Sequence, residues 1–380
     1  MITKIIGNKI VFPDRIGKGS LWMENGKIIA VGDSDLKFDK EICAGDDYVL
    51  PGFIDIHTHG AVDHDFFSST PEEIIDAVAF HVSHGTTAIM PTISSYGYET
   101  TYKALESIEI AMRDEKYGKA IIGAHLEGPY FSQKMCGAQD PENITEPQKE
   151  DYERLAERFG HIIKRWDFAP ERDEGGEFCK YLTEHGILAS AGHTDAKYDD
   201  MLLARENGLS LITHLYCCTS TITREKGFRS LGVIECAYLW DDLYVEIIAD
   251  GKHLPDELLR LIFKLKPHDK IILITDSLMA AGSKCDHGIM GNIEYIIEDG
   301  VCKLPDRSAF AGSIATTDRL LRVALEAGLE LGDAIKMLGE NPSALFGLNK
   351  GQIKEGYDAD LVIMGEDLTV KNVFIGGEMV

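Results

Sequence analysis

Residues 50–60 read LPGFIDIHTHG, an apolar run that stops at two imidazoles, His57 and His59, one residue apart. In an extended chain alternate side chains share a face, so both rings lie on one side, about 7 Å apart along the strand, and can converge on one ion. An isolated H-x-H also describes a polar strand end opening into a turn, here at Gly60, so other ligand-type residues must decide. Four stand at the ends of separate apolar runs: Glu127 in HLE, His193 in AGH, His214 in THL and Asp276 in ITD. Imidazole and carboxylate without cysteine suit a divalent ion, zinc first, then iron or manganese, rather than calcium. An ion so held acidifies water and polarises a carbonyl, which is hydrolytic chemistry. The proton released needs an acceptor beside the water, and Asp276 is the candidate.

The elements that must position these groups follow from periodicity. Short β-branched runs at 52–57, 86–92, 120–127, 165–170, 186–193, 209–215, 244–250 and 270–276 read as strands. Amphipathic stretches between most of them read as helices: PEEIIDAVAFHVSHG, ETTYKALESIEIAMRDE, EPQKEDYERLAERFG, GEFCKYLTEHG, YDDMLLARENG and PDELLRLIFKL, several ending at glycine. Regular strand–helix alternation predicts a parallel sheet, and eight units predict a closed (β/α)8 barrel, a TIM-like α/β fold. Working residues of such a barrel sit at the C-terminal ends of its strands, where all six ligand-type residues fall. The flanks differ. Residues 1–50 alternate with period two, with turn signals at Asn25-Gly26 and Gly32-Asp33, and 347–380 return to that pattern, so both ends are expected to build one small β-sandwich domain around a 51–346 barrel. Within the barrel, 284–311 reads as a β-hairpin insertion and 314–346 as helical.

Composition narrows the partners. The chain has 380 residues, 44% of them hydrophobic, enough to bury a large core. A formal charge of -25 repels nucleic acid and anionic membranes, and an anionic substrate would need its own local cations. No apolar run approaches the roughly 20 residues of a membrane span, and no signal-like segment opens the chain, so a cytoplasmic protein is expected. Eight cysteines without C-x-x-C spacing suit reduced thiols. The adjacent Cys217-Cys218 pair reads as two small residues packed beneath a pocket, and Cys136 and Cys285 likewise as small packing residues.

PGFIDIHTHG, HGTTAIMPT, HLEGPY, AGHTDA, THLY, ADGKH, TDSLMAAG and AGSIATTDRLLR occur here in a familiar order, HLEGPY and AGHTDA being the specific signals. By these the chain resembles the amidohydrolase superfamily, and within it the branch that deacetylates amino-sugar phosphates. The resemblance implies hydrolysis of the N-acetyl group of an N-acetylhexosamine 6-phosphate, most closely N-acetylglucosamine 6-phosphate to glucosamine 6-phosphate and acetate. It implies that Glu127, His193 and His214 hold one metal, that His57 and His59 hold a second where both are kept, and that Asp276 transfers the proton. It places Arg224 and His253 on the sugar phosphate, Arg224 reaching in from a neighbouring subunit, hence a homodimer. It also sets Ala138, Gln139, Cys217, Cys218, Asp250 and Phe310, Ala311 and Gly312 around the substrate. Arginine's planar fork suits phosphate oxygens, and Lys252 and Arg229 would add to a cationic spot.

Two positions depart from the pattern. Members usually carry Asn-Ala where this chain has Cys217-Cys218, and commonly a histidine where it has Gln139. A thiol donates and accepts weakly, and glutamine cannot become cationic. Both changes alter recognition while leaving the metal chemistry intact. They keep open a different acylated amino sugar, amide or amine as substrate, and a non-catalytic sugar-phosphate sensor is the third reading.

Overall fold

The computed structural model describes residues 1–380. Its centre is an eight-stranded parallel sheet: β1 Phe53–Thr58, β2 Thr86–Ile93, β3 Ala124–Glu127, β4 Ile163–Phe168, β5 Leu188–Ala191, β6 Leu211–Ile212, β7 Tyr244–Ile248 and β8 Ile271–Ile274. Each strand pairs with its sequence neighbour. The helices fall where the periodicity places them, at Pro71–Ser83, Tyr98–Ala111, Lys149–Phe159, Glu177–Glu184, Tyr198–Glu206 and Asp256–Leu265. Thr70 starts the first with a capping box closed by Glu73, and proline follows at the first helical position. A seventh helix, Val233–Leu239, has too short an amphipathic pattern to stand out in the sequence. No helix is long and apolar enough to cross a membrane.

The ring closes between β1 and β8, but past the end of β8. The Asp276 amide donates to the His57 carbonyl at 2.9 Å, and the His59 amide donates to the Ser277 carbonyl at 2.7 Å. Below these bonds a side chain takes the place of the ladder. Asp55 accepts the Thr275 hydroxyl at 2.6 Å and the Thr275 amide at 3.3 Å. Burial pushes the Asp55 carboxyl up to about 7 despite these donors. An Asp55→Ala variant would leave the Thr275 amide without an acceptor and its hydroxyl with only the His57 carbonyl at 3.4 Å. We expect it to lose about 3 kcal/mol in denaturant titrations, while Asp55→Asn, which keeps an acceptor oxygen, loses far less.

The chain termini meet in one further sheet. Seven strands from residues 3–51 and 361–379 form one continuous ladder, with a separate core of 13 residues that includes Ile5, Leu21, Ile28, Leu361 and Phe374. Asn25 and Gly26 both have positive φ, as a two-residue hairpin turn of this hand requires. The expected hairpin insertion is larger than two strands: His287–Met290, Ile293–Glu298, Val301–Lys303 and Phe310–Gly312 form a four-stranded antiparallel sheet. Its fourth strand escapes a sequence reading because PDRSAFAG lacks a period-two pattern. That strand leads to Ser313, whose amide donates to the Asp276 carbonyl at 2.8 Å. At Gly312 a Cβ would lie 2.8 Å from the Leu278 side chain and 3.1 Å from the Asp276 carbonyl, so only glycine permits this approach. Residues 317–346 are helical in three pieces, Thr317–Glu326, Leu331–Leu338 and Glu340–Phe346.

Candidate active site

His57 and His59 leave β1, Glu127 ends β3, and His193, His214 and Asp276 follow β5, β6 and β8. The last three have φ of 46°, 27° and 47°, a left-handed conformation that costs a non-glycine residue about 1–3 kcal/mol. Three such residues at three strand ends mark the mouth as the place where backbone comfort yields to side-chain placement.

Glu127 Oε1 lies 3.2 Å from His193 Nε2 and 3.2 Å from His214 Nε2, and the two nitrogens are 3.1 Å apart. The far side of each ring fixes what these nitrogens carry. His193 Nδ1 donates to the Met135 carbonyl and His214 Nδ1 to the Cys217 carbonyl, both at 3.1 Å. A carbonyl can only accept, so each neutral ring has its hydrogen on Nδ1 and its lone pair on Nε2. Two nitrogen lone pairs and a carboxylate oxygen thus face one another with no hydrogen among them. Such a donor set fits a divalent cation.

A second set adjoins it. His57 Nε2 lies 3.4 Å from Glu127 Oε1 and 3.5 Å from Asp276 Oδ1, and His59 Nε2 lies 3.4 Å from Glu127 Oε2 and 3.2 Å from Asp276 Oδ1. His57 Nε2 is fully buried without a hydrogen-bond partner, an atom that a cation would satisfy. The ligand atoms of Glu127, His193 and His214, and those of His57, His59 and Asp276, form two groups each within 4.8 Å.

Charge follows from this crowding. Burial resists a proton on His57, but Glu127 and Asp276 outweigh it and raise its pKa well above 6.5. Burial likewise opposes charge on Glu127 and Asp276, yet His57 and its neighbours hold both below their ordinary 4.5 and 3.8. In the metal-free protein the raised His57 contributes stability that is complete below 6.5 and lost as pH rises through its folded value. The two lowered carboxylates contribute stability present above 4.5 and lost as pH falls through their folded values. Metal-free protein should therefore melt lower at about pH 9 than at about pH 6. Zinc should remove most of that alkaline loss, which a thermal melt at both pH values with and without zinc checks.

These groups open into a cavity of about 260 Å³. Ala138, Gln139, Cys217, Cys218, His253, Phe310, Ala311 and Gly312 all line it, as do Tyr216 and Met290, which sequence reasoning did not single out. Cys217 and Cys218 both line the cavity, Cys217 also packing against the barrel-interior core beneath it, and Cys285 is exposed instead of packed. Gln139 is already engaged: its Nε2 donates to Glu127 Oε2 at 2.7 Å and its Oε1 accepts the Ser95 amide at 3.0 Å. Asp250 is set back from the cavity. It accepts His253 Nδ1 at 2.8 Å and the amides of Lys252 and His253, leaving His253 Nε2 toward the open space. Arg224 and Arg229 sit on an exposed two-stranded hairpin, Thr223–Glu225 and Phe228–Ser230, and neither lines this cavity. Ser94, also unforeseen, bonds His59 Nδ1 at 3.1 Å.

Comparison with known proteins agrees with this arrangement. The model of the amidohydrolase family matches residues 48–380. The chain is 33% identical over 366 residues to an N-acetylglucosamine-6-phosphate deacetylase of Bacillus subtilis (strain 168), covering 93% of this chain and 91% of that one. It is 30% identical over 363 residues to the deacetylase of the same name from Lysinibacillus sphaericus, covering 94% and 92%. Among solved structures, a mutant N-acetyl-D-glucosamine-6-phosphate deacetylase from Mycobacterium smegmatis, in complex with N-acetyl-D-glucosamine-6-phosphate, superposes with a TM-score of 0.91 at 27% identity over 100% of this chain and 99% of that one. The family model covers most of a barrel with imidazoles and carboxylates at its mouth, and relatives of 30% and 33% identity match nearly its whole length: the chain belongs to the amidohydrolase family.

Proposed function

We propose that this protein is a metal-dependent hydrolase that removes the N-acetyl group of N-acetylglucosamine 6-phosphate, giving glucosamine 6-phosphate and acetate. The observation that carries the reading is the pair of lone-pair nitrogens of His193 and His214 converging on Glu127 Oε1 beside Asp276, at a cavity of about 260 Å³. Glu127, His193 and His214 would hold one divalent ion, zinc by the chemistry of the donors, and His57 with His59 a second. Bound there, the ion supplies water acidified to near neutrality and a polarised amide carbonyl. Asp276 Oδ1, within 3.5 Å of both His57 and His59, takes the proton of the attacking water. As the new C–O bond forms and the C–N bond breaks, that proton passes from Asp276 to the departing amine, so no net proton is gained or lost by the side chain.

The remaining lining residues orient the sugar. His253, held by Asp250, presents Nε2 as a polar contact, and Phe310, whose ring centroid is 4.9 Å from that of His253, offers an apolar face. Gln139 spends its amide on Glu127, so it supports the carboxylate rather than the acetyl carbonyl. Arg224, exposed on its hairpin and outside the lining of its own cavity, is suited to reach the phosphate of a second subunit in a homodimer. Eight unpaired cysteines suit a reducing cytoplasm.

One observation keeps a second reading in play: Cys217 and Cys218 line the cavity where relatives of this branch present an amide. A different acylated amino sugar is that alternative. Acetate release from N-acetylglucosamine 6-phosphate and from unphosphorylated N-acetylglucosamine, measured on zinc-loaded protein, separates the two. Rapid release only from the phosphate ester supports the proposal, and equal rates eliminate Arg224 as a phosphate clamp. Absence of release from both sugars overturns the named substrate.

A further inference from the structure

Beneath the site the barrel interior is charged. Arg165, in β4, is completely buried, and its guanidinium reaches β1, β5 and β7 and, just past β6, Thr213. Nε donates to Asp167 Oδ1 at 2.9 Å and to Ser190 Oγ at 3.0 Å. Nη2 donates to Asp167 Oδ2 at 3.1 Å, Thr213 Oγ1 at 2.8 Å and Glu246 Oε2 at 2.9 Å. Nη1 donates to Glu246 Oε1 and, at 3.4 Å, to the carbonyl of Ile56. A bidentate clamp of this kind fixes both the plane and the charge of Glu246. Without a partner, a buried carboxylate would be strongly disfavoured.

The clamped carboxylate faces two of the site residues. Glu246 Oε2 lies 3.3 Å from His57 Nδ1 and 3.4 Å from the backbone nitrogen of His214. A carboxylate held ionised by an arginine can only accept, so in the neutral, metal-binding form of His57 the hydrogen stays on Nδ1 and the lone pair on Nε2. Nε2 is the buried, unpartnered atom that points between Glu127 and Asp276. We infer that Glu246, clamped by Arg165, is a positioning residue: it fixes the tautomer and rotation of His57, so that the second ion has its ligand ready. A carboxylate behind a ligating imidazole acts in this way by orienting the ring and raising its basicity. Arg165 contributes twice, through Glu246 and through the carbonyl of the residue just before His57.

This inference rests on His57 being a metal ligand, and the test separates the two claims. The full-length protein, the His57→Ala variant and the Glu246→Gln variant are equilibrated with buffered zinc. Bound zinc per subunit is read by elemental analysis across a range of free zinc. The ion lost in His57→Ala is the His57-dependent one; if that variant loses none, the ligand reading itself is wrong. Glu246→Gln should keep the ion at Glu127, His193 and His214, and bind the His57-dependent ion about 10–100-fold more weakly. Unchanged affinity for that ion in folded Glu246→Gln, with the ion clearly lost in His57→Ala, overturns the positioning role. Should Glu246→Gln fail to fold, nitrogen NMR of histidine-labelled wild-type protein decides, with the His57 resonance identified by its absence in His57→Ala. A hydrogen on Nδ1 in the zinc-loaded protein supports the inference, and one on Nε2 refutes it.

Discussion

Asp276→Asn should bind zinc as the parent does and release acetate about 10²–10⁴-fold more slowly. The substitution keeps the shape and one acceptor oxygen, and the backbone of residue 276 stays pinned by the His57 carbonyl and the Ser313 amide. What disappears is a carboxylate able to accept a proton from water and surrender it to nitrogen. An amide cannot do either at neutral pH. The measurement is kcat for acetate release beside zinc content and melting temperature on the same preparation. Activity within tenfold of the parent, at full zinc content, would remove Asp276 from the proton-transfer role. Loss of zinc along with activity would show instead that Asp276 serves chiefly as a ligand.

Removing the metal should have an effect at least as large. Dialysis against a strong chelator is expected to lower turnover by about 10³-fold or more, since carbonyl polarisation and water acidification together contribute several kcal/mol. Added zinc should restore it. Glu127→Ala should reach the same low rate without recovering on zinc addition, because Glu127 Oε1 is the one atom shared by His57, His193 and His214. Full activity in chelated protein whose zinc content is verified as nil would refute the metal-dependent reading.

The sequence was informative where a residue's role shows in its neighbours along the chain. The barrel was legible because each strand is a short apolar run, and the mouth was legible because a histidine or carboxylate ends such a run. Where contacts cross between strands, periodicity is silent. Arg165, Asp167 and Glu246 lie inside strand runs, in RWDF and YVEII, and charged residues at these positions were the available signal of a polar barrel interior. Their partners could not be read, since Arg165 meets Glu246 across 81 residues of chain. Gln139 was legible as a pocket residue but not as the donor to Glu127, because its loop, 133–143, has no periodicity to set its direction. The four-stranded insertion was seen only as a hairpin because its outer strands, His287–Met290 and Phe310–Gly312, lack the period-two pattern that the middle pair shows around the Asp299-Gly300 turn.

The seam between β1 and β8 bears on how the protein is made. His57 and His59 emerge early in synthesis, whereas Asp276 and the Thr275 that latches onto Asp55 are translated about 220 residues later. A nascent chain halted before residue 276 therefore carries imidazoles without their opposing carboxylate, and its first barrel strand has an open edge. Premature termination anywhere in that span yields a product without the Asp276 carboxylate, and by the proposed mechanism enzymatic activity in a translation extract reports synthesis past residue 276.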